Sequence, residues 1–200
     1  WFLFLNQEIS DLNIKFAGID LENTRKDFLN LHNFNGLSFT GCVNFVNTKL
    51  KNITFDMSKG TCEDTLNIVS SSGQISSLIV ESAFSDAVDL DFSKISIENL
   101  VIKNAKNDCI DVSGGKYFVN NMDLVSCGDK GVSVGEKSEV KLNNVVVKDV
   151  NIGVASKDSS LVDILNIDID NSQTCISAYN KKQEFLGGTI DVSNFQCKNF

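Results

Sequence analysis

Two aspartates, Asp89 and Asp111, stand 22 residues apart in closely similar phrases of the sequence. If the chain coils with that period, their carboxylates lie one strand spacing apart, at about 4.8 Å. Like charges that close raise the pKa of one carboxyl, which then serves as a general acid while the other serves as a base. A calcium ion held by the same oxygens is a second interpretation. The third is a solvated face that discourages sheet aggregation.

Other charged and aromatic side chains follow the same spacing. Acids are concentrated in the earlier copies of the phrase, and lysines with one tyrosine follow in the later copies. The acids are Asp86, Asp89, Asp91, Asp108, Asp111 and Asp129, and the later groups are Lys130, Lys137, Lys157, Tyr179, Lys181 and Lys182. On one face of a coil these groups would form a continuous binding surface. Tyr179 would either pack under the loop Gln183–Gly188 or stack against a sugar ring.

The element that must position these side chains is a repeat. Small residues recur at 87, 109, 131, 153 and 175, with a difference of 22 each time. A fixed period in this range indicates a solenoid, in which each coil is buried only by its neighbours. Each period also holds two further alternating apolar runs, such as Ile95–Ile97 and Leu100–Ile102. The pattern predicts an all-β, right-handed parallel β-helix with three short strands per coil, in which Val88, Ile110 and Val132 point inward.

The coils are best defined over residues 80–182, and residues 1–80 repeat less evenly. Apolar runs near Ile14, Leu37, Ile53 and Leu78 are spaced by 23, 16 and 25 residues. We expect one domain over residues 1–200, with about nine coils, as part of a longer solenoid. Asp20 to His32 is expected to form a helical turn or a loop. The asparagines that recur before the second strand are expected to stack from rung to rung.

Composition narrows the classes of partner and compartment. A net charge of −8 excludes nucleic acid as the main partner, and the longest apolar run is far too short to insert in a membrane. No signal peptide is visible. Six cysteines without a C-x-x-C pair, and a single histidine, argue against a zinc site. We expect the cysteines to be buried thiols, with Cys175 and Cys197 in different strand columns, and most phenylalanines to be in the core.

The phrases around Asp86–Asp89, Asp108–Asp111 and Gly128–Gly135 resemble the pectin-lyase-like superfamily of right-handed β-helices. They are similar to the successive coil motifs of polygalacturonases, and more closely to β-helix modules of bacterial surface proteins. The resemblance implies that Asp89, Asp108 and Asp111 form an acid–base set and that Lys157 grips an anionic sugar. Lys130 stands where polygalacturonases have histidine, and their Arg-Ile-Lys phrase is absent. Lys130 would then supply the base or the neutralising charge of a lyase or epimerase.

The resemblance implies a surface or secreted module that binds a polysaccharide and processes an acidic glycan as a lyase, epimerase or hydrolase. The catalytic candidates are Asp89, Asp108, Asp111 and Lys130. The substrate-binding candidates are Asp86, Asp91, Lys157, Tyr179 and Lys181. No cofactor is required, calcium at Asp89 and Asp111 being optional, and neighbouring domains are expected in a longer chain. The alternative is a non-catalytic structural or adhesive solenoid in a cell-surface assembly.

Overall fold

The computed structural model describes residues 1–19 and 39–199, and every regular element in these ranges is a β-strand. The strands pair in parallel and stack as a β-solenoid of about six turns. The strands are β1 (Phe2–Leu5), β2 (Glu8–Ser10), β3 (Asn13–Ala17), β4 (Gly41–Val46), β5 (Lys49–Gly60), β6 (Asp64–Val69), β7 (Ser72–Ala83), β8 (Asp86–Asp91), β9 (Lys94–Ala105), β10 (Ile110–Ser113), β11 (Lys116–Gly135), β12 (Glu139–Lys157), β13 (Leu161–Tyr179) and β14 (Thr189–Asn199). The predicted all-β, parallel, coiled architecture is confirmed.

The predicted period is confirmed by the register of the first strand. Val88 pairs with Ile110, and Ile110 pairs with Val132, so the three side chains lie one over another in the core. The other two runs of each coil also stack in register, as with Leu100 on Met122. In β11, β12 and β13 the ladder continues through the bends, so the runs predicted as separate short strands are single strands of 19 or 20 residues.

The expected spacing of the first coils was wrong in two places. Ile14 pairs directly with Phe55 rather than with the run near Leu37, and Leu37 itself lies outside the described residues. Phe55, rather than Ile53, pairs with Leu78, because the register shifts at Ile53 and Thr54. The true interval, from position 55 to position 78, is therefore shorter than the expected one and close to the common period. The segment Asp20 to His32 lies outside the described residues.

The asparagine stack before the second strand is confirmed. Its side-chain amides donate from rung to rung, from Asn121 to Asn99 at 3.1 Å and from Asn144 to Asn121 at 3.1 Å. The ladder continues through Asn166 to Asn194. Each amide thus satisfies the next, which leaves this column a structural rather than a ligand-binding role.

A second ladder of hydroxyl groups lies inside the bend that follows the first strand. The backbone N–H of Thr48 donates to the Ser71 hydroxyl at 2.9 Å, and that of Ser71 donates to the Ser93 hydroxyl at 2.9 Å. The next position is Gly115, where a Cβ would lie only 2.3 Å from the Tyr117 hydroxyl. Tyr117 therefore supplies the hydroxyl that Gly115 lacks, and accepts the N–H of Ser93 at 3.3 Å.

Replacing Tyr117 with phenylalanine is expected to lower the free energy of unfolding by about 1–3 kcal/mol, because buried backbone groups lose their partner. The Tyr117 hydroxyl also lies 2.8 Å from the Leu90 carbonyl and 3.0 Å from the Ser113 carbonyl. Denaturant titration of Tyr117→Phe measures the loss. The control is Tyr179→Phe, which removes a half-exposed hydroxyl and should cost less than about 0.5 kcal/mol. Equal losses in the two variants would contradict the ladder.

All six cysteines form disulfides, Cys42–Cys62, Cys109–Cys127 and Cys175–Cys197, so the prediction of free thiols was wrong. The column assignment itself was right, since Cys197 pairs with Ile169 in the second-strand column. The error was to assume that partners share a column. The columns on either side of a bend face each other across a narrow interior, and the Cα atoms of Cys109 and Cys127 are 5.4 Å apart.

Candidate functional site

The site is built on the outward positions of the first strand and the bend before it. Asp89 pairs with Asp111, and Asp91 with Ser113, on adjacent strands β8 and β10. Towards the N-terminus, Asp64 pairs with Asp86 and Asn67 pairs with Asp89. We call these six aspartates the acidic face: Asp64, Asp86, Asp89, Asp91, Asp108 and Asp111. The stacking of Asp89 on Asp111 is as the sequence predicts.

Asp89 is the most perturbed member of the acidic face. Burial, followed by the charges of Asp64 and Asp91, raises its pKa to about 9. The Asn67 side-chain amide donates to Asp89 Oδ2 at 3.2 Å, which leaves Oδ1 to carry the proton. Asp89 is therefore a protonated carboxyl at neutral pH, beside carboxylates one rung away.

The neighbouring carboxyls are shifted in the same direction. Burial raises the pKa of Asp64 to about 7, and burial raises that of Asp86 to about 6. The pKa values of Asp91 and Asp108 are also raised, again chiefly by burial. The face thus holds more protons at neutral pH than the same aspartates would in water.

Asp64 is the member that the sequence pattern missed. It is 3% exposed, and its Oδ2 is buried without a hydrogen-bond partner in the described part of the chain. Its position is 22 residues before Asp86, so extending the period by one coil would have found it. The phrase around it departs from the others, with Asn67 where the next coil has Asp89.

Lys130 is fixed between two carboxylates. Its ammonium lies 3.4 Å from Asp108 Oδ1 and in contact with Asp129, and its side chain is 13% exposed. Burial lowers the pKa of Lys130, but the hydrogen bonds and charges of Asp129 and Asp108 outweigh that effect and the net shift is upward. These contacts favour the protonated, positively charged form of Lys130.

Lys157 lies inside the site rather than extending from it. Its ammonium donates to the Ser133 hydroxyl at 2.7 Å and lies 4.0 Å from Asp111 Oδ1, and the residue is only 5% exposed. Gly135 has no side chain, and a Cβ there would lie 3.6 Å from Lys157 Cε. The lysine stem passes over this gap to reach Ser133.

Tyr179 and Lys181 lie at the C-terminal end of this surface. Tyr179 pairs with Lys157 on the adjacent strand and is half-buried. Its pKa is raised, first by burial, with Lys130 opposing and Asp129 and Asp108 adding to the shift. Lys181 is exposed, and its backbone N–H donates to Asp158 Oδ1 at 2.8 Å. No ion pair joins its side chain to the acidic face within the described ranges.

The acidic face has few features of a metal site. Residues 1–19 and 39–199 contain no group of three or more histidine, cysteine or acidic side chains that could hold a metal ion. The Asp111 Oδ1 atom is buried without a hydrogen bond, and the nearest cation to it is the Lys157 ammonium at 4.0 Å. The Lys157 ammonium therefore supplies positive charge on the Asp111 side of the pair.

The chain matches no protein-family model, no curated protein and no solved structure. The resemblance to the pectin-lyase-like superfamily accordingly stays a prediction. The described residues include no helix with the length and apolar character needed to cross a membrane.

Proposed function

We propose that the chain is a surface or secreted polysaccharide-binding β-solenoid that hydrolyses a glycan at the acidic face. The observation that carries the proposal is the stacking of Asp89 on Asp111. The pKa of Asp89 is raised to about 9, and Asp111 lies beside the Lys157 ammonium. Asp89 is thereby kept as an acid, with a second carboxyl one rung away and a lysine ammonium beside that second carboxyl. Two carboxyl groups with separated protonation states are the basic requirement for glycoside hydrolysis.

The proposed reaction uses both groups. Asp89 protonates the bridging oxygen as the bond to the anomeric carbon breaks, and the Asp111 carboxylate attacks that carbon to form a glycosyl ester. Asp89, now a carboxylate, takes a proton from water, which hydrolyses the ester and restores both groups. The strand spacing of about 4.8 Å is close to the separation of about 5–5.5 Å between the two carboxyls of retaining glycosidases. Retention of configuration is therefore the expected stereochemistry.

A lyase or epimerase acting on an acidic glycan is the less favoured version of this proposal. Both reactions need a base and a cation for the uronate carboxylate, but Lys130 and Lys157 are already bound to groups of the protein. Six aspartates facing two lysines also repel a polyanion. The charge of the acidic face favours a neutral or amino-sugar polymer, with Asp86, Asp91 and Tyr179 as binding groups.

Asp89→Asn is expected to reduce hydrolysis of a responsive glycan by at least about 100-fold, because the general acid is lost. The assay is the release of reducing ends from chitosan, a neutral β-glucan and polygalacturonate. Asp123→Asn is the matched control, since Asp123 is exposed on a different sheet and should be silent. Unchanged turnover by Asp89→Asn, or no turnover of any polymer by the wild-type protein, would contradict the proposal.

A structural or adhesive solenoid is the second candidate, and one observation favours it. The two lysines nearest the acidic face have protein partners, so neither lysine needs a ligand to balance its charge. A glycan-binding screen separates the two candidates, because the structural candidate expects no ligand at the acidic face.

The compartment, handedness and full extent of the coil belong to the same proposal. Three disulfides support an oxidising, extracellular location. Parallel strands joined by crossovers are right-handed in nearly all proteins, which supports a right-handed coil. We propose about nine coils in total and a place in the pectin-lyase-like class, with neighbouring domains in a longer chain.

A further inference from the structure

A groove of about 640 Å³ runs across the bends that follow the first strand, and none of its lining residues belongs to the acidic face. Its lining consists of five stacked three-residue bends, at 6–8, 47–49, 70–72, 92–94 and 114–116. Four strand spacings of about 4.8 Å separate the first bend from the last, which gives a length of about 19 Å. The groove is long and open enough for several consecutive units of a linear polymer.

Phe92 is the unusual residue of this groove. It is 61% exposed and has a φ of 49°, in the left-handed region that bulky residues seldom adopt. The equivalent residues of the adjacent bends are Asn47, Ser70 and Gly114, at φ of 50°, 50° and 63°. These are the residue types that such a bend ordinarily selects. A phenylalanine in this position makes the bend less favourable, and that points to a role on the surface.

The absence of a side chain at Gly114 leaves room for the Phe92 ring. A Cβ at Gly114 would lie 2.6 Å from the ring, so any other residue there would push the ring away. The ring therefore lies across the next bend, with most of its surface open to the groove. This arrangement presents a flat apolar surface inside an otherwise polar groove.

The groove is positively charged in an acidic protein. Lys94 and Lys116 are adjacent in register, and both are exposed. Lys94 has no ion-pair partner among the described residues, and Lys116 pairs at 2.7 Å with Glu139, its register partner on the next rung. Lys49 and Glu8 pair with each other at 3.2 Å and leave the balance unchanged. With Glu139 counted, three lysines and two glutamates give the groove a net charge of about +1, where the chain as a whole carries −8.

We propose that this groove binds an anionic polysaccharide chain as an anchoring site, without catalysis. Phe92 stacks on the face of one sugar ring, and Lys94 and Lys116 bind carboxylate or sulfate groups on neighbouring units. Charge complementarity selects an anionic chain, and the flat ring beside the lysines selects sugars over a flexible polyanion. The site is independent of the acidic face, so either can fail without the other.

The test compares binding of polygalacturonate, a sulfated glycan, dextran and polyglutamate to the wild-type protein by calorimetry. Lys94→Gln/Lys116→Gln is expected to weaken binding of an anionic glycan roughly tenfold or more. Phe92→Asn should weaken it by a similar factor while the melting temperature stays the same or rises, because asparagine suits the bend. The charge-matched control is Lys103→Gln/Lys148→Gln, which removes two exposed lysines that do not line the groove and should change nothing.

Comparison of the polymers identifies the bound chemistry. Preference for polygalacturonate assigns carboxylated sugars, and preference for the sulfated glycan assigns sulfated ones. Binding of polyglutamate as tightly as either glycan, tight binding of dextran, or no binding of either anionic glycan would overturn the proposal. So would wild-type affinity in Lys94→Gln/Lys116→Gln. Asp89→Asn should bind normally, so a loss of binding in that variant would place the ligand at the acidic face instead.

Discussion

Lowering the pH from about 9 to about 5 is expected to raise the melting temperature of this protein. The folded pKa values of Asp89, Asp64 and Asp86 are raised to about 9, 7 and 6, above the ordinary value of 3.8. The folded state therefore binds protons more tightly than the unfolded state. The stabilisation is complete below about pH 4 and is lost as the pH rises through 6, 7 and 9.

The expected gain is about 2 kcal/mol, less than the shifts alone imply because the face is partly solvated. For a chain of this length, that corresponds to a rise of roughly 4–8 °C. Calorimetric scans between pH 5 and pH 9 measure it. Asp89→Asn should be more stable than the wild-type protein at pH 8 and should show a flatter pH dependence, because the group most costly to ionise is gone.

Asp123→Asn again provides the control, since it removes one exposed carboxylate and should leave the pH dependence unchanged. A melting temperature that falls steadily from pH 9 to pH 5 would show that the acidic face is ionised and stabilising. Asp89→Asn is therefore expected to gain stability while it loses hydrolysis. That combination is the one expected when a destabilised functional group is removed from an active site.

Removal of the Cys109–Cys127 disulfide is expected to lower the free energy of unfolding by about 3 kcal/mol. The two cysteines are 18 residues apart, and closing a loop of that length removes conformational entropy from the unfolded chain. In Cys109→Ala/Cys127→Ala the melting temperature should fall by roughly 6–12 °C. Cys109 lies just before β10 and Cys127 lies in β11, so loss of the bond loosens the middle of the stack.

Thiol titration and the effect of a reducing agent both test this disulfide. Thiol titration of the unreduced wild-type protein should find no free cysteine, and six reactive thiols in the unfolded chain would contradict the pairing. A reducing agent should lower the melting temperature of the double variant less than that of the wild-type protein, because one of the three bonds is already absent. Equal effects on both proteins would exclude a contribution from this bond.

The repeat made much of this fold predictable. Its constant spacing placed Asp89 on Asp111 and Val88 on Ile110, because the register of a parallel stack follows directly from its period. The same argument could have found Asp64. It failed for the first coils, where the partner of Ile14 is Phe55, nearly two periods along the chain, and the repeat offers no guide.

The period could not predict which side chains meet across the interior of the coil, or in which direction a side chain on the surface points. The disulfides join different columns, and their partners depend on the cross-section of the coil rather than on its pitch. Lys157 was expected to reach towards a ligand, but its ammonium donates to the Ser133 hydroxyl instead, a contact that the period does not specify. The role of Phe92 was hidden for a similar reason, because only the structure shows that this phenylalanine has a left-handed backbone conformation, which its neighbours fill with Asn, Ser and Gly.

The partner of Ile167 is Phe195, which makes this circuit longer than the one before it, yet the register is constant from Leu161–Thr189 to Asp170–Lys198. The added length is accommodated at a corner, where residues near Leu186 and Gly188 bond to Ser159 and Tyr179. A corner can therefore lengthen without moving any neighbouring rung. Such an architecture can acquire new surface features one corner at a time during evolution, while its interior stays as it was.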